Sequence, residues 1–274
     1  MRAFATAVFI FLYAPIALIV LFSFNAGRHA SEITGFSVQW YGKALANPFL
    51  IGALQNSLIV ATTSALLAAV FGTAAALGMP RLGKHARIVF DMLLAAAIVV
   101  PGVVIGIATL VALVAVFDVI NPLLASLSPE GERPFRLSLG YGSIIAAHTL
   151  LSMALVTMIV RARLSSLGRD LVEASSDLYA TPFTTFRSVV LPQILPAVLA
   201  GFLLAFTFSF DDFIIAFFVA GTKTTLPIYV FSSIRRGVTP EINAVATIVL
   251  CVSLAAVFSA QALLGRQKDK SSRN

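Results

Sequence analysis

Six apolar runs, at residues 3–24, 57–79, 92–117, 138–160, 194–220 and 242–264, each come close to the roughly 20 residues that cross a bilayer's hydrocarbon. Lipid offers no partner for a peptide group, so each run must satisfy its own backbone hydrogen bonds, which only helices or a closed barrel can do. The period-two alternation of a barrel strand is absent, and helices remain. The chain therefore reads as an all-α polytopic membrane protein with six transmembrane helices in a single transmembrane domain over 1–274. Its 59% hydrophobic and 11% charged residues agree, against about 45–50% and 25% in a globular domain.

Basic residues set the expected orientation. With the N-terminus inside, Arg2, then Arg81, Lys84 and Arg87, then Arg161, Arg163, Arg169 and Arg187, then Arg266, Lys268, Lys270 and Arg273 fall in the cytoplasm, twelve of the 19. The positive-inside rule thus favours both termini in the cytoplasm. Topology and anionic lipid account for the net charge of +7, so no nucleic acid is expected as a partner. The first run exceeds the 7–15 residues of a signal-peptide core and reads as a retained span. Cys251 is the only cysteine, and His29, His85 and His148 are scattered; no disulfide, metal site or nucleophilic triad is expected.

Between the fourth and fifth runs, residues 161–192 form a polar inner segment. Leu171, Ala174, Ser175 and Leu178 share one helical face, and Arg169, Glu173 and Asp177 another. Pro182 behind Thr181 suits the first position of a second short helix. This segment resembles the EAA loop of permease subunits in ATP-binding-cassette importers, on Glu173, Ala174, Ser175, Tyr179, Val189, Leu191 and Pro192. Tyr179 stands where the family has glycine. The resemblance implies a type I importer permease fold, with this loop as the coupling helix that seats in a separate ATPase subunit, and Arg169, Glu173, Ala174, Ser175, Asp177 and Tyr179 as the coupling residues. A left-handed turn at Tyr179 would cost roughly 1–2 kcal/mol, so a local departure from the family's turn is expected. An ordinary solvated loop is the plainer reading.

Asp211 and Asp212 lie deep in the fifth run. An acid at mid-bilayer costs about 2.5–3.5 kcal/mol on insertion scales, a cost usually associated with function. In a continuous helix the two would point about 100° apart, so one faces a pathway while the other caps or pairs. With Phe206, Phe208, Phe210 and Phe213 nearby, a carboxylate offers an organic cation both charge and aromatic faces. Asp211, Asp212, Phe208 and Phe210 are the expected pathway residues. The plainer reading is a hydrated bulge toward the outer face.

The run SFDDFIIAFFVAG, the following TTLPIYVFSSIRRGVTPEINAVATI, and FSVQWY at 36–41 and NSL at 56–58 narrow the resemblance to the permeases of spermidine and putrescine importers. That resemblance implies a second, different permease subunit, two cytoplasmic ATPases and an extracytoplasmic substrate-binding protein as partners. It also implies no cofactor on this chain, with ATP and Mg in the partner ATPase, so that this subunit is not itself an enzyme. Other small amines, opines or phosphonates are alternative substrates, and a secondary transporter or channel is the competing class. Gly102 and Gly106 suit close helix packing, and Pro101 a kink. His148 is expected to be a hydrogen-bonded structural histidine rather than a proton carrier. The string Gly221-Thr222-Lys223-Thr224 lacks the order of a phosphate loop. Trp40 and Tyr41 are expected at the membrane interface.

Overall fold

The computed structural model describes residues 2–27, 32–127, 135–168, 170–237, 239–251 and 254. Helices dominate: α1 (Arg2–Ser23), α2 (Gln39–Ala46), α3 (Pro48–Gly78), α4 (Lys84–Val99), α5 (Gly102–Ser126), α6 (Tyr141–Ser165), α7 (Asp170–Asp177), α8 (Pro182–Thr185), α9 (Leu191–Asp211), α10 (Ile214–Val219), α11 (Leu226–Arg236) and α12 (Pro240–Cys251). Among the described residues the only β pairing is an isolated bridge, Asn25 to Phe36. Five helical stretches are long and apolar enough to span: Phe4–Ser23, Pro48–Arg81, Gly102–Ser126, Tyr141–Ser165 and Pro182–Asp211. The sixth run is represented by the shorter α12, and most of its remainder lies outside the described residues.

Three of the expected spans are redrawn. The second begins at Pro48, well before residue 57, so α3 covers 31 residues. The third is two helices: α4 ends at Val99, and Val100 is extended at φ −68°, ψ 132°. Pro101 excludes the helical region for the residue before it, so it breaks the chain where a kink was expected. The fifth also divides, at Asp212, which is extended at φ −71°, ψ 119°.

The chain gathers into two compact units, Met1–Gly52 with Tyr229–Asn274, and Ala53–Ile228. In the first, Asn25 is a knot: its side chain accepts from Thr34 N at 2.9 Å and donates to Glu32 O at 2.7 Å. Trp40 Nε1 donates to Asn25 O at 2.7 Å, and Trp40 is buried, where an interfacial ring was expected. A buried indole needs a partner for its N–H, and the Asn25 carbonyl supplies one. Asn47 caps α3 through Oδ1 and donates to Glu241 Oε1 at 2.7 Å.

The second unit is organised on α6, whose apolar window is 61% buried, the largest share of any span. Val156 and Val160 pack with Ala65, Ala68, Ile194 and Ala205 of α3 and α9. Ile144, Ala147 and Leu151 pack with Val60 of α3 and Ile215, Ala216 and Val219 of α10. Small residues let the backbones close up: a Cβ on Gly106 would stand 2.7 Å from Phe218 Cδ2, so the GxxxG of α5 is where α10 seats.

Candidate functional site

The inner segment is built by local rules. Thr181 Oγ1 accepts from Thr184 N at 3.3 Å and caps α8, with Pro182 at its first position, as the sequence predicts. The second short helix is not separate, however. It continues through a widened turn, Phe186–Val190, in which Leu191 N bonds Phe186 O, directly into α9. In a regular helix the ring of Pro192 would collide with the carbonyl four residues back, at Ser188; the wider turn relieves that collision.

α7 folds back on this run through Ser175, which is buried and bonds Thr185 Oγ1 at 2.8 Å. Its end is a Schellman motif: Ala180 N bonds Ser175 O at 3.1 Å and Tyr179 N bonds Ser176 O at 2.9 Å. The position after the cap must then be left-handed, and Tyr179 has φ 56°. Tyrosine thus stands in a left-handed conformation that glycine would adopt without strain. Of the other residues singled out here, Glu173, Ala174 and Asp177 are exposed on α7, and Arg169 lies outside the described residues. Leu171, Leu178, Tyr179 and Phe183 are also exposed, so the apolar face has no cover within the segment.

The second cluster surrounds the break after α9. A cavity of about 810 Å³ is lined by the end of α4, Pro101 and Gly102, Leu151 and Leu155 of α6, Leu204, Thr207, Phe208 and Asp211 of α9, and residues 212–215. Its wall is largely aliphatic and aromatic, and both acids reach it. They are not equivalent. Asp211 is exposed, and among the described residues its carboxylate has neither a hydrogen bond nor an ion pair. Asp212 Oδ2 accepts from Ala216 N at 2.9 Å, satisfying a free N–H at the start of α10. The same oxygen lies 3.2 Å from His148 Nε2, in ion-pair range but off the line of a hydrogen bond. Nδ1 of His148 bonds Ser209 Oγ at 2.6 Å, and the ring is buried.

Phe208 lines the cavity, whereas Phe210 stacks on Phe206 at 5.9 Å and is not among the lining residues. His148 is hydrogen-bonded, as the sequence reading expects, but its approach to Asp212 was not foreseen. Its spacing on α6 carries no sign of Asp212, which lies 64 positions away and is brought to it by the packing of α6 on α9 and α10. Among the described residues no group of three or more His, Cys, Asp or Glu could hold a metal ion.

At the other end of α10 the chain is held by backbone. Ser143 Oγ donates to Val219 O at 2.6 Å, and Asn56 Nδ2 donates to Thr224 O at 2.8 Å. Gly221 has φ 56°, and a Cβ there would lie 2.5 Å from Leu139 O. The Gly221-Thr222-Lys223-Thr224 string is therefore a tight turn. Lys223 Nζ sits 4.8 Å from the centre of the Tyr141 ring.

This arrangement of spanning helices has solved counterparts. A bacterial ABC transporter involved in import of the acidic polysaccharide alginate matches with TM-score 0.71 at 16% identity, over 96% of this chain and 93% of that one. An amino acid ABC transporter matches with TM-score 0.56 at 17% identity, over 85% and 100%. The fold is thus one shared with chains of solved ABC transporters. The chain belongs to the family of binding-protein-dependent transport system inner membrane components, whose profile matches residues 68–270. The putrescine transport system permease protein PotI of Escherichia coli strain K12 is 38% identical over 268 residues, 97% of this chain and 91% of PotI. The spermidine/putrescine transport system permease protein PotC of Haemophilus influenzae is 34% identical over 261 residues, 95% of this chain and 94% of PotC.

Proposed function

We propose that this permease subunit moves a small organic cation, a polyamine such as putrescine, through the cavity beside the break between α9 and α10. The observation that carries this reading is Asp211: an exposed, unpaired carboxylate beside Phe208 in a largely apolar wall. An ammonium group would find there a counter-charge and an aromatic face, and its methylene chain an aliphatic wall. The relatives, permease proteins of putrescine and spermidine/putrescine transport systems at 38% and 34% identity over nearly the whole chain, support the same substrate class. Another small amine, an opine or a phosphonate is the alternative cargo.

In this proposal residues 1–274 act as one domain with six spans, the last including α12, and both termini are cytoplasmic, the side favoured by the basic residues. The partners are a second permease subunit, two cytoplasmic ATPases that hold ATP and Mg, and an extracytoplasmic binding protein; this chain supplies no nucleotide site. A related fold was solved in complex with an alginate pentasaccharide-bound periplasmic protein, which supports the last of these. The exposed apolar side chains of 171–183, next to Glu173 and Asp177, suit burial in an ATPase cleft. Closure of the ATPases would then reach α9 without an intervening loop, because α8 and α9 are one continuous helical path.

Uptake of labelled putrescine into proteoliposomes carrying the assembled importer tests this function, with spermidine, a phosphonate and an uncharged diol as competitors. Competition by amines alone, and loss of uptake when the ATPase is inactivated, is the expected result. Uptake that persists without ATP hydrolysis would instead establish a secondary transporter.

A further inference from the structure

We propose that His148 is a positioning residue of the translocation site: through Asp212 it holds the break between α9 and α10, so that of the two acids lining the cavity only Asp211 is left uncommitted. The inference rests on the cavity being the cation path. It starts from charge accounting at two adjacent acids. A carboxylate largely withdrawn from water needs partners, and removing one partner of such a pair leaves an uncompensated charge. Asp212 has one donor, the Ala216 N–H at 2.9 Å, and the His148 imidazole in ion-pair range at 3.2 Å. Among the described residues Asp211 has neither.

The histidine is built for this task. It is 1% exposed, and Ser209 holds its far nitrogen at 2.6 Å, which fixes the ring plane. In the tautomer with its proton on Nε2, Nδ1 accepts from the Ser209 hydroxyl and the N–H edge of the ring faces the Asp212 carboxylate. Ser209 is on α9, His148 on α6 and Asp212 in the break itself, so one imidazole ties together the two sides of the interruption. Were Asp212 released, α9 could run on through residues 212 and 213, and a continuous helix would turn Asp211 and its successor to different sides. The pair thereby turns two neighbouring acids into one engaged carboxylate and one free one, a site for a single ammonium group at a time.

The test uses the assembled importer in proteoliposomes, with putrescine uptake and its KM measured per assembled complex. His148→Leu keeps bulk and removes the donor; uptake should fall by roughly tenfold or more, chiefly in turnover. His148→Gln retains an N–H at the reach of Nε2 and should keep most of the uptake. Adding Asp212→Asn to His148→Leu removes the orphaned charge and should restore much of the loss, whereas adding Asp211→Asn should restore none. If His148→Leu lowers assembly, the same four-way pattern is read in the amount and melting temperature of the assembled complex. Equal behaviour of the Leu and Gln variants, or additive effects of His148→Leu and Asp212→Asn, overturns the proposal. Full putrescine uptake by Asp211→Asn would overturn the cation path instead, so the two readings fail separately.

Discussion

At the scale of single residues, backbone conformation gives the clearest predictions. Tyr179 is the non-glycine residue held left-handed among those described, and its side chain is 95% exposed, so nothing in the segment compensates the strain. Tyr179→Gly should stabilise the turn by about 1 kcal/mol, seen as slower hydrogen exchange at Tyr179 and Ala180. Weaker ATPase binding in the same variant would show that the tyrosine ring has a contact of its own in the complex. Gly221 is the opposite case: φ is 56° and the Leu139 carbonyl occupies the space of a Cβ. Gly221→Ala should destabilise the fold by roughly 2 kcal/mol or more, measured as a lower melting temperature of the detergent-solubilised chain.

At the scale of elements, the inner segment and the α5–α10 contact act differently. α7 is short and held mainly by Ser175 on Thr185, so its exposed charged face is free to serve a partner. Glu173→Ala should leave membrane insertion and helix content unchanged while lowering the transport obtained per ATP hydrolysed; unchanged coupling in an assembled complex would remove Glu173 from the interface. Ser175→Ala strips Thr185 of its partner and should loosen α7 by about 1 kcal/mol, read as local hydrogen exchange rather than global unfolding. By contrast, Gly106 is a point of closure between spans. Gly106→Val must displace Phe218 and with it α10, so it should reduce the folded yield, with a cost of about 1–3 kcal/mol.

For the molecule as a whole, the expectation is transport that depends on ATP hydrolysed elsewhere and on one free carboxylate. Asp211→Asn keeps shape and removes charge; putrescine uptake should fall severalfold or more with assembly unchanged. Asp212→Asn should act mainly on assembly, since its oxygens serve the start of α10 and His148. A wild-type rate in both variants would leave the importer fold standing and remove the electrostatic case for a cation.

Helical spans were legible in the linear chain because a lipid solvent leaves the backbone few alternatives, and hydropathy reports that solvent directly. The inner segment was legible in part for a related reason: caps and proline positions are rules of three to six consecutive residues, so Thr181 and Pro182 announce themselves, whereas the left-handed turn at Tyr179 does not, because tyrosine disfavours that conformation. Breaks within apolar runs were half-visible. Pro101 carried its own signal, but hydropathy could not tell a helix that ends at Asp211 from one that continues, since Phe213, Ile214 and Ile215 are apolar in either case. Only tertiary structure decided which acid is free. His148 meets Asp212 and Ser209 because α6 packs between α3, α9 and α10, a long-range arrangement that the local sequence around each of these residues does not encode.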